Sequence, residues 1–243
     1  MDSVKHDIRL FQTFPQNCSY IEGQQSVSII PDPSIAMTHS LYQQLASIGF
    51  RRSGNEVYTP HCPECSACLP LRVPVPYSPN RNQRRTLQNN QDLVMSIVPA
   101  SFIEEHFDLY SRYLKTRHAN SQMAETNEEN YKDFLISAWC ETVFLEFRRK
   151  DKLVAVAVTD VFSNALSAVY TFFEPTMEKN SLGTYCILKQ LALVEQMSLN
   201  CLYLGYWINQ CREMSYKANF KPHEIYQKGR WTTVLGGHQD KSS

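Results

Sequence analysis

The chain has 243 residues, 43% hydrophobic and 12% aromatic, with a formal net charge of +0. That length suits one large domain or two small ones, and the apolar fraction is enough for a true core. No apolar run is long enough for a membrane span, the first residues do not read as an export signal, and a net charge of +0 means that bulk electrostatics do not announce a nucleic-acid partner. Eight cysteines without an export signal are expected to be reduced thiols or metal ligands, in the cytoplasm. Basic residues gather locally instead. The groups are Arg72, Arg81, Arg84 and Arg85; Arg148, Arg149, Lys150 and Lys152; and Lys217, Lys221, Lys228 and Arg230. Each could grip a phosphate backbone or simply be solvated.

Residues 1–78 read as a first, smaller domain. It holds Cys18, a break at Pro31-Asp32-Pro33, and a helix over 38–49 with Leu41, Leu45 and Ile48 on one face and Gly49 at its end. Strands over 57–59 and 71–73 flank the run His61-Cys62-Pro63-Glu64-Cys65-Ser66-Ala67-Cys68. Its C-x2-C-x2-C spacing can aim several thiolates at one centre, as a tetrahedral zinc or an iron–sulfur cluster requires. Cys18 is the fourth candidate ligand beside Cys62, Cys65 and Cys68. The run could equally be a cysteine-rich turn that binds nothing, since free Cys is also a small core residue.

Residues 74–91 read as a basic linker, with Pro74, Pro76 and Pro79 favouring extended chain before Arg81, Arg84 and Arg85. The second domain, 79–243, reads as α/β of the α+β kind. It begins with a strand over 93–98 and an amphipathic helix over 100–117. Thr126-Asn127-Glu128-Glu129 opens a further helix through 136. Strands over 143–149, 153–161 and 166–174 are joined by connections short enough for antiparallel turns. A helix over 182–196, a strand over 201–208, a helix over 209–219 and an extended stretch from Pro222 complete the chain.

A three-strand meander followed by helix, strand, helix and strand is the order of the GNAT acyltransferase fold. That analogy concerns fold and not chemistry. Several strings go further. Phe50-Arg51-Arg52-Ser53, the cysteine run and Asn80-Arg81-Asn82-Gln83-Arg84-Arg85 come first. Phe144-Leu145-Glu146-Phe147-Arg148, Val156-Ala157-Val158-Thr159-Asp160-Val161 and Ala168-Val169-Tyr170-Thr171-Phe172-Phe173 follow. Ser181-Leu182-Gly183-Thr184-Tyr185, Tyr203-Leu204-Gly205-Tyr206-Trp207-Ile208 and Met214-Ser215-Tyr216-Lys217 come last. In this joint order, over roughly residues 8–232, they resemble the aminoacyl-tRNA–protein transferases of the N-degron pathway. The closer likeness is to the short bacterial aspartate/glutamate leucyltransferases. The resemblance implies a GNAT-like domain behind a smaller cysteine-containing one. It implies leucyl-tRNA as donor, and proteins beginning with Asp or Glu as acceptors, marked thereby for degradation. It implies no membrane partner. Some relatives carry an iron–sulfur cluster in the amino-terminal region. Length and cysteine arrangement differ from the longer eukaryotic arginyltransferases, which favours leucine over arginine as donor. Two less favoured readings are a coenzyme A-dependent acetyltransferase and a non-enzymatic zinc or RNA-binding module.

The chemistry asks little of the residues. The donor is an activated ester and the nucleophile an amine, so no cofactor is required and no G-x-S-x-G elbow is present. Orientation can supply most of the barrier reduction, and an α-amine with pKa near ~8 is partly neutral in the cytoplasm. Glu146, Asp160 and Tyr206 are the catalytic candidates, to hold the amine or relay its proton. By alternation Glu146 and Arg148 share a strand face, so Glu146 could meet the acceptor ammonium and Arg148 its acidic side chain. Arg52 is the second candidate for that side chain, and Glu146 with Arg148 could instead form a plain cross-sheet salt bridge. Ser181, Gly183, Thr184 and Tyr185 stand where GNAT enzymes place a helix N-terminus on a pyrophosphate. With one glycine, that turn suits a tRNA 3′ end better than coenzyme A, and Ser181 also suits a routine N-cap. Tyr170, Phe172 and Trp207 are assigned to the substrate pocket, although the strand around Gly205 also reads as core. Arg81, Arg84, Arg85 and Lys217 are assigned to tRNA. His61, His106 and His118 lack metalloenzyme spacing and read as structural or surface residues.

Overall fold

A computed structural model describes residues 8–117 and 125–235; His118 lies outside them. The chain opens with four short strands, β1 (Leu10–Gln12), β2 (Gln16–Asn17), β3 (Gln25–Ser26) and β4 (Ser28–Pro31). Helix α1 (His39–Ser47) follows, capped by Thr38, whose side chain accepts from the Leu41 N–H. It buries Tyr42, Leu45 and Ala46. Ile48, expected on that face, is the C-cap residue and turns outward to 48% exposure. The hairpin of β5 (Arg51–Ser53) and β6 (Glu56–Pro60) completes a four-stranded sheet of order β1-β4-β6-β5, with β2 and β3 paired separately.

Strand β7 (Leu69–Pro74) leaves this small sheet and enters the large one. After three prolines, α2 (Arg81–Asn89) forms inside the stretch read as linker. A capping box starts it: Asn80 accepts from the Gln83 N–H, and the Gln83 side chain accepts from the Asn80 N–H. Gln83 is buried, while Arg81, Arg84 and Arg85 are exposed.

The remaining elements are β8 (Leu93–Pro99), α3 (Glu104–Arg117), α4 (Glu128–Leu135), β9 (Thr142–Arg149), β10 (Lys152–Val161), β11 (Ala165–Phe173), α5 (Leu182–Gln196), β12 (Cys201–Trp207), α6 (Arg212–Ser215), β13 (His223–Gln227) and β14 (Arg230–Val234). They build an eight-stranded sheet of order β14-β13-β7-β12-β11-β10-β9-β8. Alternation divides its side chains between two layers. Leu145, Phe147, Ala155 and Ala157 pack with Leu188 and Leu191 of α5. Phe144, Val156, Val158 and Phe172 pack with Leu109, Leu114, Tyr131 and Leu135 of α3 and α4. Both faces are covered, so the middle strands are largely apolar on both sides. Among the described residues no helix is long and apolar enough to cross a membrane.

One joint in this sheet is incomplete. β11 and β12 are parallel neighbours paired only at Ala165–Cys201, Leu166–Leu202 and Ser167–Tyr203. Beyond that point β11 continues to Phe173 and β12 to Trp207 without pairing each other. On its other side β12 pairs with β7, with a bulge between Tyr203 and Gly205. The sheet therefore splits between two central strands.

Candidate active site in the split sheet

Arg51 lies in the split. Its Nη2 donates to the Ala168 carbonyl at 2.8 Å, a carbonyl of β11 released where the pairing with β12 ends. Across the gap its Nη1 lies against β12. A Cβ built on Gly205 would stand 1.5 Å from that nitrogen, and Gly205 has φ +76°. Glycine is thus required twice, for the backbone angle and for the room. Lys217, delivered by the turn after α6, is 9% exposed. Its Nζ donates to the Tyr206 carbonyl of β12 at 2.7 Å and lies 3.2 Å from the Met214 sulfur. Burial, with the charge of Arg51 adding to it, pushes its ammonium down to about 7; Cys211 opposes the shift. Tyr58, Tyr206 and Tyr216 all sit in the field of Arg51.

Two features border the split. The first is the start of α5. Ser181 precedes it in a left-handed conformation and makes no side-chain cap bond, so its hydroxyl does not serve the routine cap expected of it. The first turn of α5, with Gly183 packed near the Phe173 ring, keeps its N–H groups uncapped by that side chain. The second feature is the cysteine knuckle. Cys68 directly precedes Leu69, which pairs with Trp207 at the end of β12. The Cys68 thiol is pushed up to about 11, first by burial and then by its neighbours Cys62, Cys18 and Cys65. Val27 N–H donates to the Cys62 sulfur and Tyr20 N–H to the Cys18 sulfur, each at 3.5 Å. The donor chemistry suits zinc or an iron–sulfur cluster. Among the described residues, however, no group of three or more His, Cys, Asp or Glu side chains is placed to hold a metal ion. A centre held by Cys18, Cys62, Cys65 and Cys68 would need the four to draw closer.

The other expected site residues fall in three places. Arg52 and Asp160 are joined to each other by bonds of 2.8 and 2.7 Å, with side chains fully buried. Thr142 and the Gly54 and Leu135 carbonyls are their further partners. Each is thus taken up by the other and by its neighbours. Glu146 and Arg148 do share a strand face, 3.0 Å apart. That face looks towards α3, whose His106 stands 2.6 Å from Glu146 and whose Glu105 takes Arg148 at 2.6 Å. Two strands separate this cluster from the split, since β9 and β12 have β10 and β11 between them. Tyr206 donates its hydroxyl towards the Gly49 and Tyr58 carbonyls, and burial pushes its pKa far up. Its backbone, not its phenol, touches Lys217.

Phe172 and Tyr185 are core residues. Tyr170 is ringed by Tyr110, Tyr113 and Phe134, and its buried hydroxyl has no hydrogen-bond partner among the described residues. The Trp207 Nε1 is in the same condition at the end of β12. Lys217, expected against tRNA, is buried in the split. Arg51 and Gly205 were the residues that sequence reasoning missed as a site. The available signal was Gly205 inside an aromatic strand, which marks a bulge or a close approach.

An α/β sheet split between two central parallel strands, with a helix start and two cations at the gap, is an acyltransferase-like architecture behind an amino-terminal domain. Residues 16–85 match the family "Arginine-tRNA-protein transferase, N terminus", and residues 105–227 match its C terminus. An aspartate/glutamate leucyltransferase of Saccharophagus degradans is 40% identical over 232 residues, covering 95% of this chain and 98% of that protein. One of Pseudomonas aeruginosa is 44% identical, covering 93% of this chain and 97% of that one. One of Pseudomonas syringae pv. syringae is 43% identical with the same coverage. The chain belongs to the aspartate/glutamate leucyltransferase family, and so to the tRNA-dependent aminoacyltransferases.

Proposed function

We propose that this enzyme transfers leucine from leucyl-tRNA to the N-terminal Asp or Glu of acceptor proteins, marking them for N-degron proteolysis in the cytoplasm. The observation that carries this reading is 40–44% identity along nearly the full length of both chains to relatives bearing that name. The neutral α-amine nitrogen attacks the ester carbonyl carbon. An amide forms, the bond to the ribose oxygen breaks, and the amine's surplus proton is transferred as that oxygen leaves as a hydroxyl. Orientation in the split supplies the main acceleration, so no cofactor takes part. The exposed Arg81, Arg84 and Arg85 of α2 contact acceptor-stem phosphates, and the first turn of α5 receives the 3′ end.

Transfer of labelled leucine from leucyl-tRNA to a peptide starting with Asp tests the reading. Parallel reactions use arginyl-tRNA and acetyl-coenzyme A as donors. Transfer of arginine but not leucine would reassign the donor. Acetyl transfer alone would replace the reading with an acetyltransferase.

A further inference from the structure

We propose that Arg51 and Lys217 together form the receptor for the acidic side chain of the acceptor's first residue, which rests on the transfer reaction proposed above. The starting point is charge accounting. Among the lysines and arginines of the described residues, Arg52 and Lys217 are buried. Arg52 has its carboxylate in Asp160. Lys217 has none: its ammonium reaches a backbone carbonyl and a thioether. Arg51, whose charge adds to the depression of Lys217, likewise makes no ion pair among the described residues, only bonds to the Ala168 and Val169 carbonyls. A buried ammonium beside the half-buried Arg51 guanidinium, with no acid between them, is costly, and an anion arriving there removes the cost.

Lys217 is 9% exposed and Arg51 is in contact with Gly205, so the pair is reached only through a narrow part of the split. Carboxylate geometry also suits a guanidinium and an ammonium, which are donors only. An amide in place of the acid would present its NH2 group to these donors and leave charge unpaired, a large penalty in a buried site. Lys217 near a pKa of about 7 adds a consequence: the carboxylate draws a proton onto it. Arg148 is a weaker reader. Glu105 and Glu146 already bind it, so an acceptor carboxylate would have to displace one of them.

The test compares peptides starting with Asp and with Asn, using leucyl-tRNA as donor. Lys217→Met keeps chain length and removes the charge. Arg51→Gln removes the charge from the other side of the pair with a shorter polar side chain. Each should lower the Asp-over-Asn ratio of kcat/KM at least about tenfold, with the KM for leucyl-tRNA unchanged, while Lys217→Arg keeps most of the preference. A ratio that stays at the wild-type value overturns the proposal. So does a raised KM for leucyl-tRNA with the ratio intact, which would assign the pair to a tRNA phosphate. The unmodified enzyme gives a reading that needs neither folding of the variants nor transfer. In calorimetry at pH 8, in buffers of different ionisation enthalpy, the Asp peptide should bind with more proton uptake than the Asn peptide. Equal uptake overturns the proposal even if leucine transfer is confirmed. If leucine is not transferred but the excess uptake is seen, the donor assignment fails and the acceptor receptor stands.

Discussion

Arg51 and Arg52 are adjacent on one three-residue strand and end in opposite situations. Alternation sends Arg52 into the closed part of the fold, where Asp160, Thr142 and the Gly54 carbonyl satisfy it. It sends Arg51 into the split, where, among the described residues, only backbone carbonyls receive it. The same contrast runs through the sheet. On the closed side, at β8 to β10, each charged cluster is balanced: Glu146 with His106 and Arg148, Arg148 with Glu105, Arg149 with Asp92. On the open side, between β11 and β12, Arg51 and Lys217 have no acidic partner among the described residues. Balanced buried charge holds a fold, and unbalanced buried charge at an opening is set to receive something.

The largest effect should come from breaking the closed half. Arg52→Ala leaves Asp160 buried without its cation, at a cost of about 3–5 kcal/mol. Urea unfolding measures it, and a loss below about 1 kcal/mol would remove the contrast between the two arginines. Next is Gly205→Ala. Its φ of +76° costs a side chain about 1–2 kcal/mol, and the new Cβ displaces Arg51. The expected result is a moderate stability loss with a rise of about tenfold in the acceptor KM, one decade per 1.4 kcal/mol. Stability loss alone would mean that Arg51 does not serve the acceptor.

A pH series sharpens the open half. The folded-state pKa of Lys217, about 7, lies below its ordinary 10.5. Between those values the unfolded chain binds a proton that the folded chain lacks. The contribution of Lys217 to stability therefore rises with pH across that window. Wild type should gain on Lys217→Met between about pH 7 and 10 in urea unfolding, and a constant difference would contradict a depressed ammonium. Smaller still is the effect of α2. Alanine at Arg81, Arg84 and Arg85 should reduce the salt slope of tRNA binding by about 1 per lost contact, leaving the Asp-over-Asn ratio intact. The smallest belongs to the exposed Glu128–Lys132 pair on α4, whose removal should change stability by about 0.5 kcal/mol or less.

The meander and α5 were legible because buried strands and helices carry their periodicity in every residue. Val156, Ala157 and Val158 lie in a run too apolar for anything but the middle of a sheet. Helix α2 was obscured by three prolines, although Asn80 and Gln83 held its capping box. The place of β7 could not be read, since its partners β12 and β13 lie more than a hundred residues away. The site suffered most. Alternation placed Glu146 and Arg148 on one face correctly, but not which helix that face meets. His106 and Glu105 decide that, and no local pattern links them to β9. Nor does a strand of three residues say which of two arginines will find an acid.

The most direct measurement is a structure of the enzyme with a peptide starting with Asp bound in the split. The account predicts the acceptor carboxylate within about 3 Å of Lys217 Nζ and of the Arg51 guanidinium, beside Gly205. A carboxylate held instead by Arg148, with the ammonium on Glu146, would contradict it.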